Sequence, residues 1–314
     1  MSLSDKHVDL SALFPTLALD ELSEKDRASV SAVLDAIRDH SALLDWMIAG
    51  CIQRQPQHRA PGRSEPRILT VDVVPLFLHS ILASLKSIQA LLGNSVSLHV
   101  KDCHIITRSL VETIVNTCYI LTEGDKAALQ AFRHAEQRSF RELNRSANVG
   151  EFEIKLFMTN APKAEDIQGM TDMINEFTSA RGREKNWTDL TINERVELIR
   201  SKHPKSATLL SISVFWSYRL SSEITHGSLY SILKVLGVYS HKQGHTYADQ
   251  TTASLVAQQE TLLIVIAMAL KALADVFSTN FDADVIREVS DSIIAPVVAI
   301  FRSHLNGTAE ALDG

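Results

Sequence analysis

Apolar residues recur at three- and four-residue intervals through most of this 314-residue chain, and no stretch of useful length alternates at two. Val30, Val33, Leu34, Ile37, Leu44, Ile48 and Ile52 mark one face of a helix over residues 23–52. Leu78, Leu82, Leu85, Ile88 and Leu92 mark another, opened by Pro75 and closed by Gly93–Asn94. The same reasoning predicts helices over 101–121, 125–148, 162–182, 192–201, 206–236 with a break at Gly227, 251–277 and 284–304. Thr191-Ile-Asn-Glu194 is a capping box at the head of its helix. Stripes of this period are buried by packing helix on helix, so the expected fold is all-α: a multi-helix bundle with long buried central helices. With 12 Gly and 8 Pro the chain is also poor in the residues that a turn-rich β fold needs. The expected organisation is an N-terminal helical region and basic linker over 1–67, a main helical-bundle domain over 68–305 and a flexible C-terminal tail over 306–314.

Charge narrows the function classes. A net charge of −6 and a pI near 6.1 exclude a polycation that coats nucleic acid, while a local basic patch stays open. One candidate is 53–67, where Arg54, Arg59, Arg63 and Arg67 face a single Glu65 among three prolines; it reads as a solvated linker or as a phosphate-contacting arm. Cys51, Cys103 and Cys118 form no CxxC pair and read as reduced core thiols, which with the absence of a basic, apolar leader points to a cytoplasmic protein. The longest apolar run, Leu262–Leu270, is nine residues, against about 20 for a membrane span, so no membrane partner is expected. Phosphate-loop, dinucleotide-binding and HExxH motifs are absent, so no cofactor is expected.

Two helices carry charges among apolar residues. In the first, Arg108 and Glu112 stand four apart beside Ile105, Val115 and Tyr119. In the second, Arg219, Glu223 and His226 form one stripe with Ser222 beside it. A buried ion needs a partner, and these four charges sum to zero, so the economical expectation is one cluster of Arg108, Glu112, Arg219 and Glu223 with His226 at its end. Three roles fit it: a polar network that sets helix register, a metal site built on Glu223-x-x-His226, or an anion-binding catalytic centre in which arginine holds phosphate and His226 is the acid–base group. Trp187, near Arg181, Arg183 and Lys185, is either a base-stacking platform or a helix-packing residue, and His241 and His245, in a Gly-containing loop with Tyr247, read as a solvated loop or as metal ligands.

Arg108-Ser-Leu-Val-Glu112, the basic helix with Arg133, Trp187 before a short helix, and Ser222-x-x-x-His226-Gly-Ser together resemble an uncharacterised, mostly bacterial domain-of-unknown-function family over residues 76–239. That resemblance implies an all-helical fold and no settled activity. More distantly, Arg219 and His226, with six residues between them, resemble the Arg/His signature of HEPN domains, many of which cleave RNA without metal. This second resemblance implies a ribonuclease in defence or stress response. His226 and Arg219 would act on RNA or a nucleotide, Glu223 or Glu112 would orient the site, and a homodimer would complete it. The alternative is a non-catalytic interaction or scaffold protein.

Overall fold

The computed structural model describes residues 16–58, 69–238 and 247–310. Ten α-helices dominate them: α1 Glu24–His58, α2 Thr70–Leu92, α3 His99–Glu123, α4 Asp125–Glu142, α5 Met170–Glu176, α6 Ile192–Lys202, α7 Pro204–Thr225, α8 Leu229–Val235, α9 Tyr247–Phe281 and α10 Asp284–Glu310. The fold is the all-α multi-helix bundle. Helices α3 and α9 lie at its centre: α3 packs on α2, α6, α7 and α9, and α9 also on α1, α7 and α10. The helix of the N-terminal region thus packs into the same core as the rest.

Apolarity explains who sits inside. Leu262, Leu263, Val265, Ile266 and Leu270 of α9 are buried, as are Leu110, Ile114, Val115 and Ile120 of α3. By length and composition Thr70–Leu92 and Asp249–Phe281 could each cross a membrane, and 89% of the most apolar window of the latter is buried inside the protein. Cys51, Cys103 and Cys118 are free and buried.

Local interactions move several helix ends from their expected places. Helix α1 runs six residues further, because the Arg54 guanidinium lies over the Phe281 ring at 5.0 Å and donates to the Phe281 carbonyl at 2.7 Å. Arg54 is therefore a clamp between α1 and α9 and not part of a phosphate-contacting arm; Arg59, Arg63 and Arg67 lie outside the described residues, as do His241 and His245. Helix α2 starts at Thr70 and not at Pro75, since Asp72 accepts from the Leu69 N–H at 3.1 Å and Asp125 from the Thr70 N–H at 2.9 Å. Pro75 cannot donate to the Val71 carbonyl, which accepts from Gln55 Nε2 at 3.1 Å instead. The capping box forms as expected: Thr191 Oγ1 accepts from the Glu194 N–H at 3.3 Å and Glu194 Oε2 from the Thr191 N–H at 2.7 Å.

Two short antiparallel ladders correct the expectation of a chain without strands. β1 Leu17–Ala18 pairs with β2 Ser95–Val96. More consequentially, the helix expected over 125–148 stops at Glu142, and the chain turns into β3 Asn144–Val149 and β4 Phe152–Phe157. Gly150, with φ +61, takes the first position of the two-residue turn between them, where a side chain would be strained. In place of the single helix expected over 162–182, a 3₁₀ turn at Ala164–Asp166 precedes the seven-residue α5.

Candidate functional site

The five charged residues expected to converge are divided between two places. Arg108 and Glu112 share the expected face of α3, but what meets them from α7 is Tyr218. Its hydroxyl donates to Glu112 Oε2 at 3.0 Å, and the Arg108 guanidinium sits 4.6 Å from its ring centroid. Helix α6 closes the group with Arg195, which is only 7% exposed and donates to Asn116 Oδ1 and, at 3.4 Å, to the Thr191 carbonyl. Burial pulls this guanidinium below the ordinary arginine range, and the nearby Glu112 carboxylate opposes that pull. Burial, then the Glu112 charge, push the Tyr218 hydroxyl up to about 12. Arg108, Glu112, Asn116, Arg195 and Tyr218 thus form a polar network that ties α3, α6 and α7 together. Tyr119 packs against Trp187 at 5.8 Å, so Trp187 is a packing residue here.

Arg219, Glu223 and His226 stand apart from this network. Arg219 and His226 are exposed and Glu223 half-buried, and no ion pair or side-chain hydrogen bond holds any of the three among the described residues. The reason is the rotation of α7. Its buried stripe is Ser206, Leu210, Ser213, Ser217, Ser221 and Ile224, with Ser213 Oγ donating to the Leu209 and Val265 carbonyls at 2.9 and 3.1 Å. Small hydroxylated residues let α7 approach α9 closely, with the hydroxyls of Ser213, Ser217 and Ser221 bonded to carbonyls of their own helix and Ser213 also to α9. Once serines face inward, the stripe of Arg219, Glu223 and His226 turns outward. The sequence carried this signal as serines at helical spacing over 206–221, a pattern outweighed by the eye-catching charges.

The end of α7 explains two residues of the SxxxHGS element. The Gly227 N–H bonds the Ile224 carbonyl at 2.9 Å and the Ser228 N–H bonds the Glu223 carbonyl at 3.1 Å. That pair of bonds is a Schellman stop, and Gly227 takes the left-handed φ of +63 it requires. Ser228 then caps α8 by accepting from the Ser231 N–H at 3.2 Å. Gly227 and Ser228 are thus accounted for by chain reversal. The His226 imidazole has no such structural employment among the described residues.

Beside this helix end lies a cleft of about 1200 Å³ between α7, α8 and the first turns of α9. Phe215, Trp216 and Tyr230 present exposed rings to it, with Phe215 and Trp216 edge to face at 5.7 Å. Arg219 and Lys234 bring positive charge to its wall, and Asp249 negative. His104 of α3 forms part of its floor; burial pulls that imidazole down to about 4, against the neighbouring Gln258 amide, which favours the charged form. His104 Nε2 and Gln258 Oε1 are both buried without a well-formed hydrogen bond among the described residues. Sequence reasoning missed His104 and the cleft, because its walls come from five separate helices, α3, α6, α7, α8 and α9.

The family model of a family of unknown function, DUF5677, matches residues 72–245, more than half of the chain. The chain belongs to this family. The DUF5677 region spans α2 to α8 and so contains the polar network, the serine stripe and the HGS turn. No curated protein and no solved structure matches the chain.

Proposed function

We propose that the outer face of α7 and the adjoining cleft bind single-stranded RNA or a nucleotide, and that Arg219 and His226 cleave the phosphodiester without metal. The observation that carries this reading is the exposure of both side chains: Arg219 lines the cleft and His226 follows seven residues later on the same stripe, neither engaged with a carboxylate among the described residues. Seven residues of helix advance about 10 Å, a span that two long side chains bridge around one phosphate and its ribose. Phe215, Trp216 and Tyr230 supply π faces on which bases stack, and Lys234 supplies a further phosphate contact. In the step itself, His226 takes the proton of the ribose 2′-hydroxyl, that oxygen attacks phosphorus, and the 5′-oxygen leaves with a proton from solvent. Arg219 stabilises the charge that builds on the phosphorane. The products are a 2′,3′-cyclic phosphate and a 5′-hydroxyl end. Arg108 and Glu112 have no part in it; they fit the register role instead.

Incubating the purified chain with single-stranded RNA in the presence of a chelator tests this reading. Cyclic-phosphate ends are expected from the wild type and not from Arg219→Ala or His226→Ala. Absence of cleavage by the wild type, or cleavage undiminished in both variants, overturns it. A second reading, a non-catalytic interaction module, is favoured by one observation, the bare apolar face of the β3–β4 hairpin.

A further inference from the structure

The hairpin of β3 and β4 is amphipathic and stands uncovered. Val149 pairs with Phe152 and Ala147 with Ile154 across one face; Asn148 pairs with Glu153 and Ser146 with Lys155 across the other. On the apolar face Val149 is 58%, Phe152 77% and Ile154 51% exposed. The sheet has two strands, so the outer edge of β4 meets no further strand among the described residues. A lone two-stranded ribbon is marginally stable in water, and a free edge is a template for pairing.

We propose that β4 pairs edge to edge with β4 of a second copy of this chain, giving a four-stranded antiparallel sheet across a two-fold axis at Ile154. Charge selects both the occupant and the register. Glu153 and Lys155 flank Ile154 on the polar face, 3.0 Å apart within one chain. An antiparallel copy centred on Ile154 sets Glu153 opposite the partner's Lys155, and Lys155 opposite the partner's Glu153. Sliding the centre to Glu153 or to Lys155 sets like charges opposite each other, which is unfavourable. Within the strand residues 152–157 the centre at Ile154 is the register that sets both charges against their opposites; a centre at Glu153 brings the two Glu153 carboxylates together and gains Lys155–Glu151 pairs only through a turn residue. In the Ile154 register residues 150 and 151 of each turn stand opposite 158 and 157 of the other copy. Exposed Phe157 and Met158 of one copy then lie beside the hairpin tip of the next. An isologous contact of this kind closes on itself as a dimer.

Sedimentation equilibrium of the full chain over a range of micromolar concentrations tests the proposal. The wild type is expected to dimerise. Lys155→Glu and Glu153→Lys each set like charges across the axis twice and are expected to weaken association roughly tenfold or more. An equimolar mixture of the two single variants restores complementary pairs and is expected to associate like the wild type, as is the doubly reversed chain. Both side chains are exposed, so circular dichroism should find all variants folded. A wild type that stays monomeric, single variants that associate normally, or a mixture that does not recover would each overturn the proposal. None of these outcomes depends on whether the α7 cleft cleaves RNA.

Discussion

Tyr218 of α7 donates its hydroxyl hydrogen to Glu112 of α3 at 3.0 Å, and this bond joins the two helices at the place where a charged residue of α7 was expected. Its removal is a direct measure of the network. Tyr218→Phe keeps the ring under Arg108 and loses only the bond, so a loss of about 1 kcal/mol is expected in urea unfolding. Glu112→Gln leaves buried Arg195 without its nearby carboxylate and should cost about 2 kcal/mol, a figure kept low because Glu112 is half-exposed. Equal stability of all three proteins would show that the network holds nothing.

The outward stripe of α7 should behave oppositely. Arg219→Ala and His226→Ala remove exposed side chains without partners among the described residues, and each should leave unfolding within about 0.5 kcal/mol of the wild type. Loss of RNA cleavage with unchanged stability is the combination that separates a site from a scaffold. A large drop in stability in either variant would place that residue inside a structural contact.

The turn after α7 makes a third case. Gly227 has φ +63, and a methyl group there would meet no atom within 4 Å, so Gly227→Ala tests backbone strain alone. The expected cost is about 1 kcal/mol. A neutral result in thermal unfolding would mean that α7 can end without its left-handed stop.

Stability should fall as the medium is acidified below neutrality, for a reason carried by two buried histidines. Burial holds both His40 and His104 down to about 4, against an ordinary value of 6.5. His40 Nδ1 donates to the Ala36 carbonyl at 2.8 Å and Nε2 lies 3.1 Å from Ser290 Oγ, so the buried neutral ring has a partner for both nitrogens. The unfolded chain therefore binds more protons between about pH 6.5 and 4. The contribution is fully present above 6.5 and is lost progressively as pH drops toward 4, at roughly 3 kcal/mol per histidine. Urea unfolding at pH 7.5 and at pH 5 measures this; a pH-independent midpoint would contradict it.

Thiol chemistry should report the core. Burial pushes Cys51 and Cys103 up to about 12 and Cys118 higher still, so none is a thiolate near neutral pH. An aromatic disulfide reagent should label none of the three in the folded protein and all three in urea. Rapid labelling of native protein would show that the bundle opens more readily than its packing implies.

Much of the bundle could be read from apolar spacing, because helix periodicity and caps are local. The Thr191 capping box, the stop at Gly227 and the burial of 262–270 each depend on residues within a few positions of one another. The hairpin at 144–157 leaves a fainter mark: Phe152, Glu153, Ile154 and Lys155 alternate at period two over only four residues, too few to outweigh the helical spacing of the run before them.

Rotation of α7 was a different kind of question. Sequence alone placed Arg108 with Glu112 on one face and Arg219, Glu223 and His226 on another, since spacing along a helix fixes which side chains share a side. Which side turns inward depended on what the neighbours could accept. Close packing against α9 favoured the small serines, and that choice swung Tyr218 onto Glu112 and left Arg219 at a cleft. Periodicity determines faces within an element; only the competition among all helices for the interior decides which face is buried.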